Sequence, residues 1–363
     1  MEEIYDDGGL RDEIDIPNKF KAYEFIHLTD IELAVRFCEI KSNFDIFEFL
    51  LKKNYENDEL INITLLTAVR NTDLKSCINA IKLLLSYGAD INCIDYKHTP
   101  LMVICSSSYK KSKKRIIKFL LDCGADPNME NEDGRNALTL LCEKKGSKKY
   151  IKIIKLLIKY KANVNNLNSN YWSCLLFAVE NSYYKIAKLL LKNGADVNYI
   201  TDKSENESIL NLACFWRQNE KNDKLIKLLI DNDADVTNKN IFGETSLSNL
   251  IKYATTYDDF EIIKLLIKKG IEINYKNNNS KTLLMMCYES ENHKKIFEYE
   301  LIKLLLDNKA DIYVKDNNGC NILDIVKKIK GFNSEIYSLI FNYKNIDGDL
   351  LCQFDISFIY CNF

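Results

Sequence analysis

The chain has 363 residues, of which 47% are hydrophobic, and its formal net charge at pH 7 is −2. This composition supplies enough apolar material for a continuous core and excludes a wholly disordered chain. The near balance of charge leaves no basic footprint for nucleic acid or an anionic membrane, so we expect neither as a partner.

The amino-terminal part of the chain predicts two segments. Residues 1–26 are acidic, and we expect them to be flexible. They lack the apolar run of a signal peptide, and no stretch of 18 apolar residues occurs anywhere, so we expect neither a secretion signal nor a membrane-spanning helix. Residues 27–58 contain the apolar pattern Phe47-Glu48-Phe49-Leu50-Leu51, which predicts a degenerate repeat that caps the array.

Residues 59–320 repeat one pattern seven times. Each copy has a Leu followed three residues later by a small or apolar residue, then an amphipathic helix, then a turn like Gly88-Ala89-Asp90. The turns begin at Gly88, Gly124, Lys161, Gly194, Asp233, Gly270 and Lys309, at intervals of 36, 37, 33, 39, 37 and 39 residues. A period in this range indicates stacked units, none of which can bury its apolar face alone.

Within each repeat the residue types predict which side chains face inward. In the segment Ile153-Ile154-Lys155-Leu156-Leu157-Ile158 the lysine is expected in solvent and the aliphatic residues in the core. Four cysteines fall three or four residues after the first Leu of their repeats, where a small apolar side chain is needed: Cys105, Cys142, Cys214 and Cys287. Because reduced cysteine behaves as a small hydrophobe, we expect a reducing compartment, either cytoplasmic or nuclear.

The motif Thr99-Pro100-Leu101, together with the seven recurring turns, resembles the ankyrin repeat over roughly residues 27–343. The resemblance implies an all-α solenoid of stacked helix-turn-helix units with short β-hairpin loops. The chain departs from the family in one respect. The interval from the first Leu to the turn is 19 residues in the family and from Leu175 to Gly194, whereas most repeats here have four more residues between the two helices. The insertion either lengthens the helices or enlarges the loop.

Two further segments follow the seventh repeat. Residues 321–343 predict a carboxy-terminal capping repeat. Residues 344–363 form an apolar tail that is too hydrophobic to remain in water, so it either covers the last repeat or docks another protein.

No catalytic, cofactor-binding or metal-binding constellation is recognisable in the sequence. The three histidines, His27, His98 and His293, fall in different contexts, and no phosphate-binding glycine loop occurs. The Asp of each turn recurs once per repeat, as expected of a turn-forming hydrogen-bond acceptor rather than a catalytic carboxylate. We therefore expect a protein that is not an enzyme and needs no cofactor.

The resemblance also implies a binding surface, because hairpin tips and first helices line a concave groove in ankyrin stacks. The corresponding candidates for partner binding are Tyr96, His98, Arg135, Tyr171, Trp172, Phe215, Trp216, Phe242 and Tyr253. Large aromatic residues exposed in a groove are typical interface anchors. An alternative for Trp216 is that it packs beneath its own inserted loop.

These expectations amount to a monomeric, non-enzymatic scaffold that binds another protein, whose identity stays open. The alternative is a substrate adaptor whose tail docks a ubiquitin ligase or another effector. The family resemblance further implies that Asn92, Asn198 and Asn274 match a pattern hydroxylated in some ankyrin proteins. The competing interpretation gives these residues a turn-forming role, with a left-handed backbone and a bond to the neighbouring main chain.

Overall fold

The computed structural model describes residues 45, 47–49, 51–52, 58–71, 74–94, 97–108, 112–144, 146–201, 206–216, 222–253, 256–289, 295–328 and 334–346. The predicted acidic segment 1–26, most of the capping repeat 27–58, and the tail beyond residue 346 lie outside these residues. The chain divides into two units, which are described separately. The first unit comprises residues 1–144 and 149–163, and the second comprises residues 145–148 and 164–363.

From residue 58 onward, the described residues of the first unit form three helix pairs. Their helices are α1 (Asp58–Asn71), α2 (Leu74–Ser86), α3 (Pro100–Ser106), α4 (Lys113–Asp122), α5 (Ala137–Cys142) and α6 (Ile151–Lys159), the last preceded by a 3-10 turn at Ser147–Tyr150. The first helices α1, α3 and α5 contact one another in order, and so do the second helices α2, α4 and α6. This two-row arrangement is the predicted stack of repeats.

The described residues of the second unit, which end at residue 346, form five helix pairs built in the same way. Their helices are α7 (Cys174–Glu180), α8 (Tyr184–Lys192), α9 (Ile209–Phe215), α10 (Asp223–Asp231), α11 (Ser246–Tyr253), α12 (Tyr257–Lys268), α13 (Leu283–Glu289), α14 (Lys295–Asp307), α15 (Ile322–Lys328) and α16 (Ser334–Ile346). The first helices α7, α9, α11, α13 and α15 contact in sequence. The described residues are therefore all-α apart from isolated β-bridges, which include Leu167 with Ser173 and Ile200 with Ser208.

First helices that follow a described hairpin tip begin at a capping residue, as α3 and α7 show. Thr99 accepts a hydrogen bond from the backbone N–H of Met102, and Pro100 follows it at the first helical position. Ser173 accepts from the N–H of Leu176 in the same way. A side-chain acceptor there satisfies a backbone donor that the helix leaves unpaired. The Thr-Pro-Leu motif therefore marks where a helix begins, as the sequence predicted.

The core follows the predicted inward pattern. In α6, Ile154 and Leu157 are fully buried while Lys155 is exposed. Cys105 and Cys287, two of the four cysteines expected at small inward positions, are also completely buried. Burial raises the pKa of Cys105 to about 12, because the thiolate would lose its hydration there.

The inserted residues take both of the forms that the sequence left open. Helices α7 and α8, which lack the insertion, are separated by residues 181–183, whereas residues 107–112 separate α3 from α4 and residues 216–222 separate α9 from α10. In α12 and α14 the second helix itself is longer, with 12 and 13 residues against 9 in α8.

Lysines hold the enlarged loop after α3 against the end of that helix. The Nζ of Lys113 is buried and donates to the carbonyl oxygens of Cys105 and Ser107, at 2.9 Å and 3.0 Å. Lys144, from the next repeat, donates to the carbonyl of Ser107 at 2.8 Å. The two ammonium groups thus satisfy the carbonyls that the last turn of α3 leaves unpaired. Burial, reinforced by the nearby charge of Lys144, lowers the pKa of Lys113 to about 8.

The recurring turns link successive repeats through an asparagine. The Oδ1 of Asn198 accepts from the N–H of Asp235 at 2.7 Å, and its Nδ2 donates to the carbonyl of Asp233 at 3.2 Å. Equivalent pairs of bonds are made by Asn92, Asn128, Asn165 and Asn274. The expected bond to main chain is therefore present, but it reaches the next repeat.

The expectation of a left-handed backbone at these asparagines was wrong. Among the described residues of the turns, positive φ occurs at the first position instead, for example 94° at Gly124 and 66° at Lys161. A residue there ends the second helix, where glycine adopts this conformation most easily. The Asp residues have the predicted role, since the Oδ1 of Asp196 accepts from the N–H of Asn198 at 2.9 Å.

Candidate protein-binding surface

The hairpin tips share one hydrogen-bonded turn. In the tip 168–172, the Oδ1 of Asn168 accepts from the N–H groups of Asn170 and Trp172, at 3.0 Å and 2.9 Å. The same acceptor role is played at other tips by Asn131, Asn240, Asn277 and Asp316. A side chain that mimics the backbone in this way fixes the turn, so the remaining tip side chains are presented from a rigid frame.

Tyr171 occupies the fourth position of its tip, where a positive φ is required. Its φ is 59°, whereas glycine fills the equivalent position at Gly134 and Gly243. A left-handed tyrosine is energetically costly, and such residues cluster at functional sites. The side chain is 55% exposed, and the carbonyl of Tyr171 accepts from the hydroxyl of Tyr199 at 2.6 Å. Tyr171 therefore adopts a strained backbone conformation while its aromatic ring stays exposed to solvent.

Trp172 and Trp216 meet across two successive repeats of the second unit. Their ring centroids are 6.0 Å apart, and Trp172 also packs on Phe177 of α7, with centroids 5.0 Å apart. Both tryptophans are only half-buried. Trp216 thus contacts a residue of the preceding tip. Its own inserted loop, residues 217–221, lies outside the described residues, so the alternative of packing beneath that loop stays a prediction.

Phe215, the residue before Trp216 in the chain, is 43% exposed at the end of α9. Together, Tyr171, Trp172, Phe215 and Trp216 make up what we call the aromatic surface. Phe242, on the tip before α11, is 59% exposed. An aromatic residue left this accessible presents apolar area that a partner can bury.

Two exposed aliphatic residues of the second unit were missed by the sequence reasoning. Ile200 is 42% exposed and Ile241 is 45% exposed, and both lie in the hairpin segments. The detectable signal was an isoleucine in a segment otherwise rich in polar turn residues. They enlarge the apolar area on the tips of this unit.

The candidates of the first unit have a different environment. Arg135 donates to Asp133 and Glu143, each at 2.8 Å, and is only 24% exposed. The hydrogen bond and charge of Glu143 raise the pKa of Arg135, as expected for a guanidinium in a bidentate pair. His98 is half-buried next to the capping residue Thr99. Both side chains belong to the first unit, which is described separately from the aromatic surface.

Two candidates fall outside what can be described. Tyr96 lies outside the described residues, and Tyr253 ends helix α11 with a side chain that is likewise outside them. Both remain predictions.

Within the described residues, no three His, Cys, Asp or Glu side chains converge in a way that could hold a metal ion. Among the helices described, none combines the length and the apolar character required to cross a membrane.

Comparisons with known proteins agree with this architecture. A family model of ankyrin repeats matches residues 108–201 and 210–316, which is more than half of the chain. Among solved structures, the ankyrin repeat domain of Bcl-3, a member of the IkappaB family, superposes with a TM-score of 0.50 and 20% identity, covering 61% of this chain and 92% of that domain. At this identity the likeness shows the fold alone.

Similarity to curated proteins is confined to shorter stretches. An ankyrin repeat protein of Acanthamoeba polyphaga mimivirus is 35% identical over 85 residues, which cover 23% of this chain and 49% of that protein. Protein phosphatase 1 regulatory subunit 27 of Homo sapiens is 37% identical over 70 residues, or 19% of this chain and 43% of the subunit. The chain thus spans about half the length, or less, of these relatives.

Proposed function

The chain belongs to the ankyrin repeat family, and from that premise we propose that it is a non-enzymatic scaffold that binds another protein through the aromatic surface of its second unit. Ankyrin repeats are protein-interaction modules, and the fold is generally not catalytic. The single observation that supports this location is the half-buried pair Trp172 and Trp216, whose ring centroids lie 6.0 Å apart on two successive repeats.

The physical argument concerns area and rigidity. Tryptophan and tyrosine bury much surface on binding while losing few rotatable bonds, so they dominate the binding free energy of many interfaces. The tip around Asn168 and the helix cap at Ser173 hold Trp172 in place before any partner arrives. Little conformational entropy is therefore lost when the partner binds.

The proposal includes a monomeric chain in a reducing compartment. The support is that no disulfide joins the described cysteines, and that Cys105, Cys142, Cys214 and Cys287 fill small apolar positions of the core. The partner is another protein, and its identity stays open.

The proposal is tested by comparing the proteins co-purified with the wild type and with a Trp172→Ala/Trp216→Ala variant, quantified by mass spectrometry. Each truncation at an interface anchor should cost about 2 kcal/mol or more, so specific partners should fall to background with the double variant. The matched control is Tyr257→Ala, because Tyr257 is 65% exposed but lies at the start of α12, apart from the aromatic surface. Equal loss in both variants, with both folded by circular dichroism, would place the binding site elsewhere.

The adaptor alternative concerns the tail and needs its own variant. Deletion of residues 347–363 should leave the partners of the aromatic surface unchanged if the tail acts only as a cover. Loss of a second set of proteins, with those partners retained, would instead establish the adaptor.

A further inference from the structure

The second helices of the first unit carry an unusually basic outer face. The exposed basic residues are Lys114, Arg115 and Lys118 on α4, and Lys152, Lys155 and Lys159 on α6. Helices α4 and α6 contact each other, so these six side chains share one surface, which we call the basic face.

Only one carboxylate on α4 and α6 opposes this charge. Asp122 accepts from the Nζ of Lys118 at 2.6 Å and from the hydroxyl of Tyr160. The hydrogen bond from Lys118 is the main reason that the pKa of Asp122 is lowered, so this carboxylate is already committed. The other five basic side chains form no ion pair with a carboxylate of the described residues. The basic face therefore has a local excess of positive charge although the whole chain is nearly neutral.

Solvent-facing lysines on two later second helices have acidic neighbours. Lys264 of α12 pairs with Glu261 at 3.0 Å, and the first turn of that helix carries Asp258 and Asp259. Helix α14 likewise carries Glu300 and Asp307 beside the exposed Lys303. Helix α8 resembles α4 and α6, because it carries Lys185, Lys188 and Lys192 and no carboxylate. What distinguishes α4 and α6 is that they contact each other, so that six basic side chains share one surface of the first unit.

The complementary charge lies in the amino-terminal part of the sequence. Residues 1–15 contain seven acidic residues and a single basic one: Glu2, Glu3, Asp6, Asp7, Asp12, Glu13 and Asp15, with Arg11. We propose that this acidic segment docks on the basic face of α4 and α6 and shields it from other polyanions.

The length of the intervening chain and the range of electrostatic attraction in salt both permit such a contact. The 11 residues 16–26, between the acidic segment and the predicted capping repeat, can span up to roughly 36 Å when extended. Neighbouring helices pack about 8–10 Å apart, so this length reaches across several helix pairs. Each exposed pair contributes about 0.2–1 kcal/mol, and several pairs act together. Because the Debye length is about 8 Å at physiological salt, the docking weakens as salt increases.

Zero-length carbodiimide cross-linking of the full chain, followed by peptide mapping, locates the acidic segment. We expect links from residues 1–15 to Lys114, Lys152, Lys155 and Lys159. A Lys152→Glu/Lys155→Glu/Lys159→Glu variant should lose roughly tenfold of the links to the basic face, whereas the matched variant Lys264→Glu/Lys268→Glu/Lys269→Glu on α12 should lose none of them. Links spread evenly over all exposed lysines would overturn the proposal. So would links between isotopically distinct molecules, because they would identify a second copy as the occupant.

Heparin chromatography of the full chain provides a second measurement. Changing Glu2, Glu3, Asp6 and Asp7 to their amides leaves the helices untouched and should shift elution to higher salt, because the basic face is then uncovered. Adding the triple Lys→Glu change on α6 should abolish that shift. If the wild type and the amide variant elute at the same salt concentration, the acidic segment does not cover the basic face. A nucleic acid or another external polyanion is then its ligand.

Discussion

The two units bury their cores in the same way, and both carry ion pairs between a tip and the end of the following helix, such as Arg135 with Glu143 and Lys281 with Glu289. They differ in the exposed aromatic residues of their described hairpin tips. In the first unit, Arg135 is engaged by Asp133 and Glu143, and Lys97 pairs with Glu132 at 2.5 Å. In the second unit, Tyr171 and Phe242 stand 55% and 59% exposed at the corresponding tips. Ion pairs at the surface contribute little and leave the tip satisfied, whereas exposed rings leave apolar area that only a partner can bury.

Different residues therefore determine the repeat fold and the proposed binding surface. Inward positions such as Leu157 and Leu229 are fully buried and serve the same purpose in both units. Tip positions are free to vary because the turn is fixed by its first residue, as with Asn131 and Asn168. A unit can therefore change its surface chemistry without altering its fold.

The largest expected effect tests the shared core. Leu157→Asp in α6 and Leu229→Asp in α10 should each lower the free energy of unfolding by more than about 4 kcal/mol, since an unpaired carboxylate would be buried. The exposed neighbours provide controls: Lys155→Asp and Lys227→Asp should change it by less than about 0.5 kcal/mol.

The two units can be followed separately in these melts. Both tryptophans of the chain, Trp172 and Trp216, lie in the second unit, so their fluorescence in urea reports that unit while circular dichroism reports both. Equal sensitivity to leucine and lysine substitutions in either unit would refute the assignment of inner and outer faces.

A smaller effect is expected from the asparagines that join repeats. Asn128→Ala in the first unit and Asn198→Ala in the second each remove two bonds to the next turn, which should lower stability by about 1–2 kcal/mol. Amide hydrogen exchange at Asn163 and Asp235, whose N–H groups lose their acceptors, should accelerate. The control is Thr237→Ala, since Thr237 occupies the equivalent position and its hydroxyl bonds only Asp235 within its own turn. If all three variants lost the same stability, the bonds from Asn128 and Asn198 to the next turn would not stabilise the stack.

A pH-dependent effect should be confined to the first unit. The folded-state pKa of Lys113, about 8, lies below its ordinary value of 10.5 because the ammonium is buried. Above pH 8 the folded chain releases this proton before the unfolded chain does, so stability should rise with pH, by roughly 1 kcal/mol after allowance for solvent screening.

The groups around Lys113 limit the pH range in which its effect on stability can be measured. These are the ammonium groups of Lys144 and Lys149, the ring of Tyr150 and the thiol of Cys105. The raised pKa of Cys105 acts in the opposite sense above pH 9, so urea melts should be compared between pH 7.5 and 9. The Lys113→Met variant, which keeps the apolar stem, should lose the rise. A persistent rise in that variant would assign it to another group.

Much of the fold was predictable because it repeats. The positions of the helices followed from the spacing of Leu, Lys and Gly, and Thr99-Pro100 marked a helix start that the structure confirms. The form of the insertions was not predictable, since a longer helix such as α12 and a longer loop such as 107–112 need similar polar residues. The direction of the Asn198 side chain was also missed, because its acceptor and donor lie 35 or more residues away along the chain.

The sequence predicted which residues lie on the tips, but it did not predict that Trp172 and Trp216 contact each other. Sequence spacing placed Trp172 on a tip and Trp216 after a helix, yet their approach to 6.0 Å depends on how two repeats stack. The pairing of Arg135 was hidden for the same reason, since its partner Glu143 lies across the first helix of the repeat. Local sequence patterns identify exposed positions. Only the packed structure shows which of these side chains already contact another residue of the chain.

The smallest expected effect separates stability from binding at the tips themselves. Arg135→Ala should lower the stability of the first unit by about 0.5–1 kcal/mol, because its pairs are partly exposed, and should leave the co-purified partners unchanged. Phe242→Ala should do the reverse: a 59% exposed ring contributes little to folding, so stability should change by less than about 0.5 kcal/mol while partner recovery falls. Recovery is measured by quantitative co-purification and stability by urea melts on the same preparations. If Arg135→Ala reduced recovery as much as Phe242→Ala, the charged tips would belong to the interface, and the difference between the units would concern the kind of contact rather than the place of binding.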